Sequence, residues 1–192
     1  MTIEEYPWAR ITVDGRPHPH AFVRGGSETR LAMVTCEQGA EWVVAGLTDL
    51  VVLKSTGSEF WGYAKDRYTT LPETRDRILA TAVTARWRYA SSRATWSVSF
   101  DETRRVMLET FASVHSLALQ QTLYSMGEAV LTARPEIAEI RLAMPNKHHF
   151  VVDLSPFGLT NENTVFHAAD RPYGLIEGTV TRDDSPAEGF AW

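Results

Sequence analysis

The apolar period changes twice between Val83 and Met144, from two to about 3.6 and back again, and few folds accommodate that order. Val83, Ala85, Trp87 and Tyr89 alternate with Thr84, Arg86 and Arg88, the pattern of a strand with one buried face. Met107, Phe111 and Val114 then recur at helical spacing, with Asp101 placed to cap the helix and Glu102 favourable to its positive end. A second helical run, from about Ser116 to Arg134, sets Leu119, Leu123, Met126 and Val130 on one side and stops at Pro135. Ala138, Ile140, Leu142 and Met144 return to alternation. Upstream, Trp42 to Lys54 reads as a long strand bending near Gly46; downstream, Val165-Phe166 and Leu175 to Thr181 read as the last strands. From Trp42 onward the order is strand, strand, helix, helix, strand, strand. An antiparallel sheet with two helices on one face is the α+β solution to that order.

The first part of the chain offers strands and no helix. Trp8 to Val13 reads as a strand running into a tight turn at Asp14-Gly15, and Leu31 to Cys36 as another, with a break at Glu37-Gln38-Gly39. The prolines of Arg16-Pro17-His18-Pro19-His20 remove ladder donors and keep that stretch at an edge or in a loop. A hairpin of this kind cannot cover its own apolar face and needs something else to pack on. The domain boundary is placed near Gly39, and Asp183 to Trp192 reads as a polar, flexible tail.

Composition excludes several classes. At 192 residues the chain can bury a sizeable core, and its 44% hydrophobic and 22% charged content is that of a globular protein. A net charge of −5 argues against nucleic-acid binding through a basic face. Cys36 is the one cysteine, so no internal disulfide forms. No apolar run reaches transmembrane length, the start lacks the order of a signal peptide, and the end is not a peroxisomal address; a cytoplasmic, membrane-free location is expected. The sequence contains no Gly-rich phosphate loop, no GxSxG and no HExxH, and His18-Pro-His20 lacks a spaced third ligand, so no metal site is expected.

The chemistry-bearing residues are scattered. Phe60 and Arg77 fall in the run from Leu53 to Arg77, one ring and one guanidinium that together suit a flat anionic ligand. Each alone has an ordinary reading, Phe60 as core and Arg77 as a solvated or ion-paired side chain. Gln120 lies within the apolar run Leu117 to Leu123, where a buried carboxamide needs a partner. In Pro145-Asn146-Lys147-His148-His149-Phe150, strand alternation puts Asn146 and His148 on the same face, an amide beside an imidazole that could hold a small polar species and relay protons.

These segments resemble urate oxidase (uricase). The similarity is carried, in order, by DGRPHPHAF near the start, VLKSTGSEFWGY from Val52, RYTTL from Arg67, Arg77 itself, LQQTLY from Leu119, MPNKHHF from Met144 and DRPYGLIEGTV from Asp170. The resemblance implies two tandem tunnelling-fold (T-fold) domains in the family chain: residues 1–39 would be the closing strands of a first domain, 40–182 a complete second domain and 183–192 the tail. It implies that Arg77 and Gln120 clamp urate in the manner of tweezers, that Phe60 stacks on its ring, that Leu119 offers a backbone N–H, and that Asn146 and His148 lie over the purine plane at the site of oxygen, water and proton relay. The implied reaction is oxidation of urate by dioxygen to 5-hydroxyisourate and hydrogen peroxide, with no metal or organic cofactor and O2 as co-substrate. The implied assembly is a homotetramer with sites between subunits.

Departures from the family pattern shape the expectation. The family's lysine–threonine pair belongs to early strands of the first domain, and no segment here matches them; Lys54, Lys65 and Lys147, the three lysines, all fall in second-domain motifs. Leu119 stands where valine is usual, His149 where tyrosine is, and Arg75 where tryptophan is frequent. The 192-residue chain is therefore expected to carry the urate clamp and to be inactive alone. The alternative is a non-catalytic or split-enzyme T-fold subunit that binds a purine and needs a partner chain. A zinc T-fold enzyme of pterin metabolism is a further rival, and it requires a histidine cluster that the sequence does not show.

Overall fold

A computed structural model of the chain describes residues 1–13, 15–70, 72–169 and 174–192. Asp14 of the expected turn, Leu71 of the RYTTL motif, and the Asp170 to Tyr173 part of the last motif lie outside the described residues. The strands are β1 (Thr2–Glu5), β2 (Trp8–Val13), β3 (Arg16–Arg24), β4 (Thr29–Glu37), β5 (Ala40–Lys54) and β6 (Leu79–Tyr89). Two helices follow, α1 (Trp96–Ser113) and α2 (Leu119–Ala133), then β7 (Ile137–Pro145), β8 (His149–Val151), β9 (Phe166–Ala168) and β10 (Leu175–Thr181). Six of the strands form one sheet in the order β1-β4-β5-β6-β7-β10, with every neighbouring pair antiparallel.

The sheet's alternation decides where the core lies. Leu47, Val83, Ala85, Trp87, Ile140, Leu142 and Met144 are buried on the face that α1 and α2 cover with Met107, Phe111, Leu123, Met126 and Val130. The approach of α2 is close: a Cβ on Gly127 would lie 2.6 Å from Val180 Cγ2, so any side chain there would push the helix off β10. Trp87, fully buried, is polar-satisfied through a relay. Its Nε1 donates to Tyr89 Oη (3.2 Å), which donates to Ser99 Oγ (3.1 Å), which donates to Glu136 (2.8 Å).

Several boundaries differ from expectation. Helix α1 begins at Trp96 and not at an Asp101 cap; Ser99 and Phe100 are already buried against the sheet, so packing extends the helix forward. The bend of β5 lies at a register shift between Leu47 and Leu50, where Asp49 takes a positive φ of 56°, rather than at Gly46. Arg16 to His20 takes the first of its two expected placements, an edge strand, paired with β2 in a separate two-stranded ribbon whose side chains are exposed apart from the half-buried Ala21. β4 and β5 are joined by a turn in which both Gln38 (φ 50°) and Gly39 (φ 83°) are left-handed, the geometry of a tight hairpin. The sheet thus runs continuously past Gly39.

The tail expected to be flexible is instead docked on the sheet face opposite the helices. Arg88, 2% exposed, donates to Ser185 Oγ (2.8 Å) and to the Pro186 carbonyl (3.0 Å). Arg141 reaches Glu188 (3.0 Å) and sits 3.8 Å over the Trp192 ring, while Phe190 meets Trp42 edge to face. Composition marked the segment as polar and breaker-rich, but its aromatic residues and Glu188 find partners on a sheet face rich in arginine.

Candidate functional site

Beyond Lys54 the chain leaves the sheet and returns at Leu79, and backbone hydrogen bonds fix this excursion. Phe60 and Thr74 exchange both backbone bonds (2.8 and 2.9 Å), and Arg77 N–H donates to the Ser58 carbonyl (2.9 Å). The same excursion is tied to the lead-in of α2, where Ser116 N–H donates to Gly57 O (2.9 Å) and Glu59 N–H to Ser116 O (2.7 Å). Opposite it, Lys147 N–H donates to Ala80 O (2.9 Å), which brings the stretch between β7 and β8 alongside the start of β6.

Together these segments enclose a cavity of about 660 Å³ whose lining includes Phe60, Arg77, Asn146 and His148. The two pairs that sequence reasoning singled out, Phe60 with Arg77 and Asn146 with His148, therefore share one space. The Arg77 guanidinium lies 5.7 Å from the Phe60 ring centroid, and its Nη1 is 3.5 Å from Asn146 Oδ1. Phe60 stacks on Tyr63 at 4.1 Å, which covers one face of its ring.

Arg77 is half-buried and makes no ion pair among the described residues. Its Nε is held by the Glu59 carbonyl at 3.0 Å, which fixes the plane of the fork. Burial lowers its pKa, and no carboxylate among the described residues offsets that cost; a guanidinium nonetheless stays protonated at any physiological pH. The carboxylates in the cavity wall are otherwise engaged. Glu73 takes Lys65 (2.8 Å) and Gly62 N–H (3.0 Å), and Asp76 takes the Thr56 hydroxyl (2.9 Å). A desolvated cation without a counter-ion among the described residues, facing a cavity, is an arrangement that an anionic ligand completes.

His148 is desolvated and faces the positive charge of Arg77, and both effects, burial first, lower its pKa below the usual imidazole value. It is neutral at pH 7 and able to accept a proton. A folded-state pKa below the unfolded one means that the unfolded chain binds a proton more readily. Stability from this group is whole above the unfolded value of about 6.5 and is lost as pH falls through the lower folded value. The His148 ring, followed by proton NMR, is expected to titrate below about 6.5, and Arg77→Ala is expected to raise that midpoint. A midpoint unchanged by Arg77→Ala would show that the two groups do not sense each other.

Leu119 and Gln120 stand apart from this lining. They open α2, with the Leu119 side chain 1% exposed in the core and Gln120 exposed. The N-cap is Ala118, extended at φ −162° and ψ 159°, with no side-chain cap and no acidic residue in the first turn. The first N–H groups of α2 thus keep their donor capacity and the helix's positive end is uncompensated. The lead-in is anchored only a few residues from Phe60 through Ser116.

The lining also holds residues that the sequence did not single out, among them Thr74, Asp76, Asn163 and Phe166. His149 lines the cavity as well as His148, although strand alternation separates them; the stretch from Asn146 to His148 carries only an isolated bridge and does not keep strand geometry. The Glu59 carbonyl, which orients Arg77, left no side-chain signal to find. Among the described residues no group of three or more His, Cys, Asp or Glu could hold a metal, and no helix is long and apolar enough to cross a membrane.

An antiparallel sheet with two helices on one face is the T-fold-like α+β arrangement, and the cation-bearing cavity lies at its strand ends. A model of the uricase family matches residues 43–177. The uricase of Arthrobacter globiformis is 52% identical over 189 residues, covering 98% of this chain and 61% of that protein. The uricase of Emericella nidulans is 42% identical over 189 residues, covering 91% of this chain and 63% of its own length. The crystal structure of Arthrobacter globiformis uricase superposes with a TM-score of 0.90 at 52% identity, over 97% of this chain and 63% of that one. The chain belongs to the uricase family, and it spans less than two thirds of the length of these relatives.

Proposed function

We propose that the chain supplies the urate-holding half of a urate oxidase site. The observation that carries this reading is Arg77, half-buried, oriented by Glu59 and without an ion-pair partner among the described residues, in a cavity shared with Phe60, Asn146 and His148. Urate is a planar anion. Its edge oxygens and nitrogens suit the guanidinium fork, with the Gln120 carboxamide and the Leu119 N–H at the start of α2 as the second arm. Its ring suits the face of Phe60 that Tyr63 does not cover. Asn146 and the neutral His148 would hold dioxygen or water above the ring and pass protons.

Deprotonated urate is electron-rich enough to react with dioxygen without a metal or organic cofactor, giving 5-hydroxyisourate and hydrogen peroxide in purine catabolism, in the cytoplasm. The protein's contribution is orientation, charge stabilisation and proton transfer. The exposed β2–β3 ribbon and the open sheet edges favour assembly of several copies into a barrel, a tetramer in the family, with sites between subunits. Residues 1–39 would close a first T-fold domain and 40–182 form the second.

In this reading the lysine–threonine pair that moves the substrate's proton is not among the 192 residues. The purified chain is expected to bind urate while showing little urate-dependent absorbance loss or peroxide release. Robust turnover by the chain alone would contradict that assignment, and failure to retain urate in equilibrium dialysis would contradict the clamp itself.

A further inference from the structure

The entry of α2 is held by a set of buried hydroxyls that the clamp reading does not use. Ser58, Ser116 and Thr122 are each 0% exposed. Thr122 Oγ1 donates to Ser116 Oγ at 2.7 Å, and Ser116 Oγ donates to the Ala118 carbonyl at 3.2 Å. One residue before, Gln121 reaches back to accept the Leu117 N–H at 3.1 Å, in the manner of a capping side chain. These bonds fasten the extended residue Ala118 from within the helix and leave the N–H groups of Leu119 and Gln120 without an acceptor among the described residues.

The same Ser116 carries the bond to Glu59 N–H, and the Glu59 carbonyl holds Arg77 Nε. A single covalent and hydrogen-bonded path, Thr122–Ser116–Glu59–Arg77, therefore joins the start of α2 to the guanidinium. An ordinary side-chain N-cap would have satisfied the first-turn donors of α2 locally. Here the lead-in is locked by a residue on the helix's buried side, so its rigidity does not consume those donors.

We propose that Thr122 is a positioning residue of the clamp: its hydroxyl, acting through Ser116, sets the offset between the arm at Leu119–Gln120 and the arm at Arg77. This rests on the urate-binding reading above. Thr122→Val keeps the shape of the side chain and removes the hydroxyl, while Thr122→Ser keeps the hydroxyl. Calorimetry of the 192-residue chain with urate, dioxygen excluded and well below the melting temperature, is expected to show Thr122→Val about fivefold to tenfold weaker than the parent chain. Thr122→Ser is expected within about twofold of it. A purely structural hydroxyl would lower the melting temperature and leave the affinity of the folded protein unchanged. Should Thr122→Val fail to fold, Ser116→Ala reads the same link. Affinity of the folded variant within about twofold of the parent, with Arg77→Ala still weakening binding by roughly thirtyfold or more, would overturn the positioning role alone. No binding by the parent chain would overturn the clamp and this role together.

Discussion

Arg77→Ala is expected to weaken urate binding by about 2–5 kcal/mol, or between roughly thirtyfold and a few thousandfold in affinity. The size follows from what Arg77 lacks. A surface arginine with a carboxylate neighbour would lose about 1 kcal/mol or less on truncation. Arg77 is desolvated, is turned by the Glu59 carbonyl, and has no ion-pair partner among the described residues, so its cationic capacity is reserved for whatever enters the cavity. Arg77→Lys is expected to fall between the two, since it keeps the charge but loses the planar fork that matches adjacent ligand atoms. Calorimetry with dioxygen excluded reads both variants, and equal affinity of Arg77→Ala and the parent chain would remove Arg77 from the clamp.

The second large effect concerns stability. Glu139 (5% exposed) lies across the strand pair from Arg88 (2% exposed), with a closest approach of 3.8 Å, and also accepts from Arg141 Nε at 2.7 Å. Glu139→Ala leaves Arg88 buried with no compensating charge and is expected to cost about 3–5 kcal/mol in urea denaturation. Arg88 keeps its bonds to Ser185 and Pro186, which places the loss toward the lower part of that range. Those bonds also couple the pair to the docked tail. A loss of about 1 kcal/mol or less would mean that the pair behaves as an exposed one and that the tail does not shield it.

The sequence was informative wherever period and burial coincide. Trp87 between Ala85 and Tyr89, and Met126 between Leu123 and Val130, repeat at the spacing of their element, and both are fully buried on the shared face. It was less informative where burial is polar or where partners are distant in sequence. Glu139 reads as the outward residue of a half-buried strand, yet Arg88 and the tail bury it. Asp101 reads as a cap, yet Phe100 draws the helix start back to Trp96. The tail reads as polar and breaker-rich, and nothing local shows that Trp42 and Arg141 await it.

The candidate site follows the same division. Phe60, Arg77, Asn146 and His148 were identifiable by type, and the structure brings them into one cavity. Tertiary backbone bonds do that work: Phe60 to Thr74 and Arg77 to Ser58 fold the excursion on itself, Lys147 to Ala80 joins segments far apart in the chain, and none has a residue signature. Gln120 stood out as a carboxamide within an apolar run, whereas Leu119 was identifiable only through the family resemblance. In the structure they stand at an uncapped helix end tied to the same excursion, not in the cavity wall.

The most direct measurement is a crystal structure of this chain with urate, grown with dioxygen excluded. The account predicts a planar ligand in the cavity with its edge within hydrogen-bond distance of the Arg77 guanidinium, its face on Phe60, its second edge at Gln120 and the Leu119 N–H, and Asn146 and His148 over the ring. Urate bound elsewhere, or a cavity that stays empty at saturating urate while Arg77 keeps its present contacts, would contradict it.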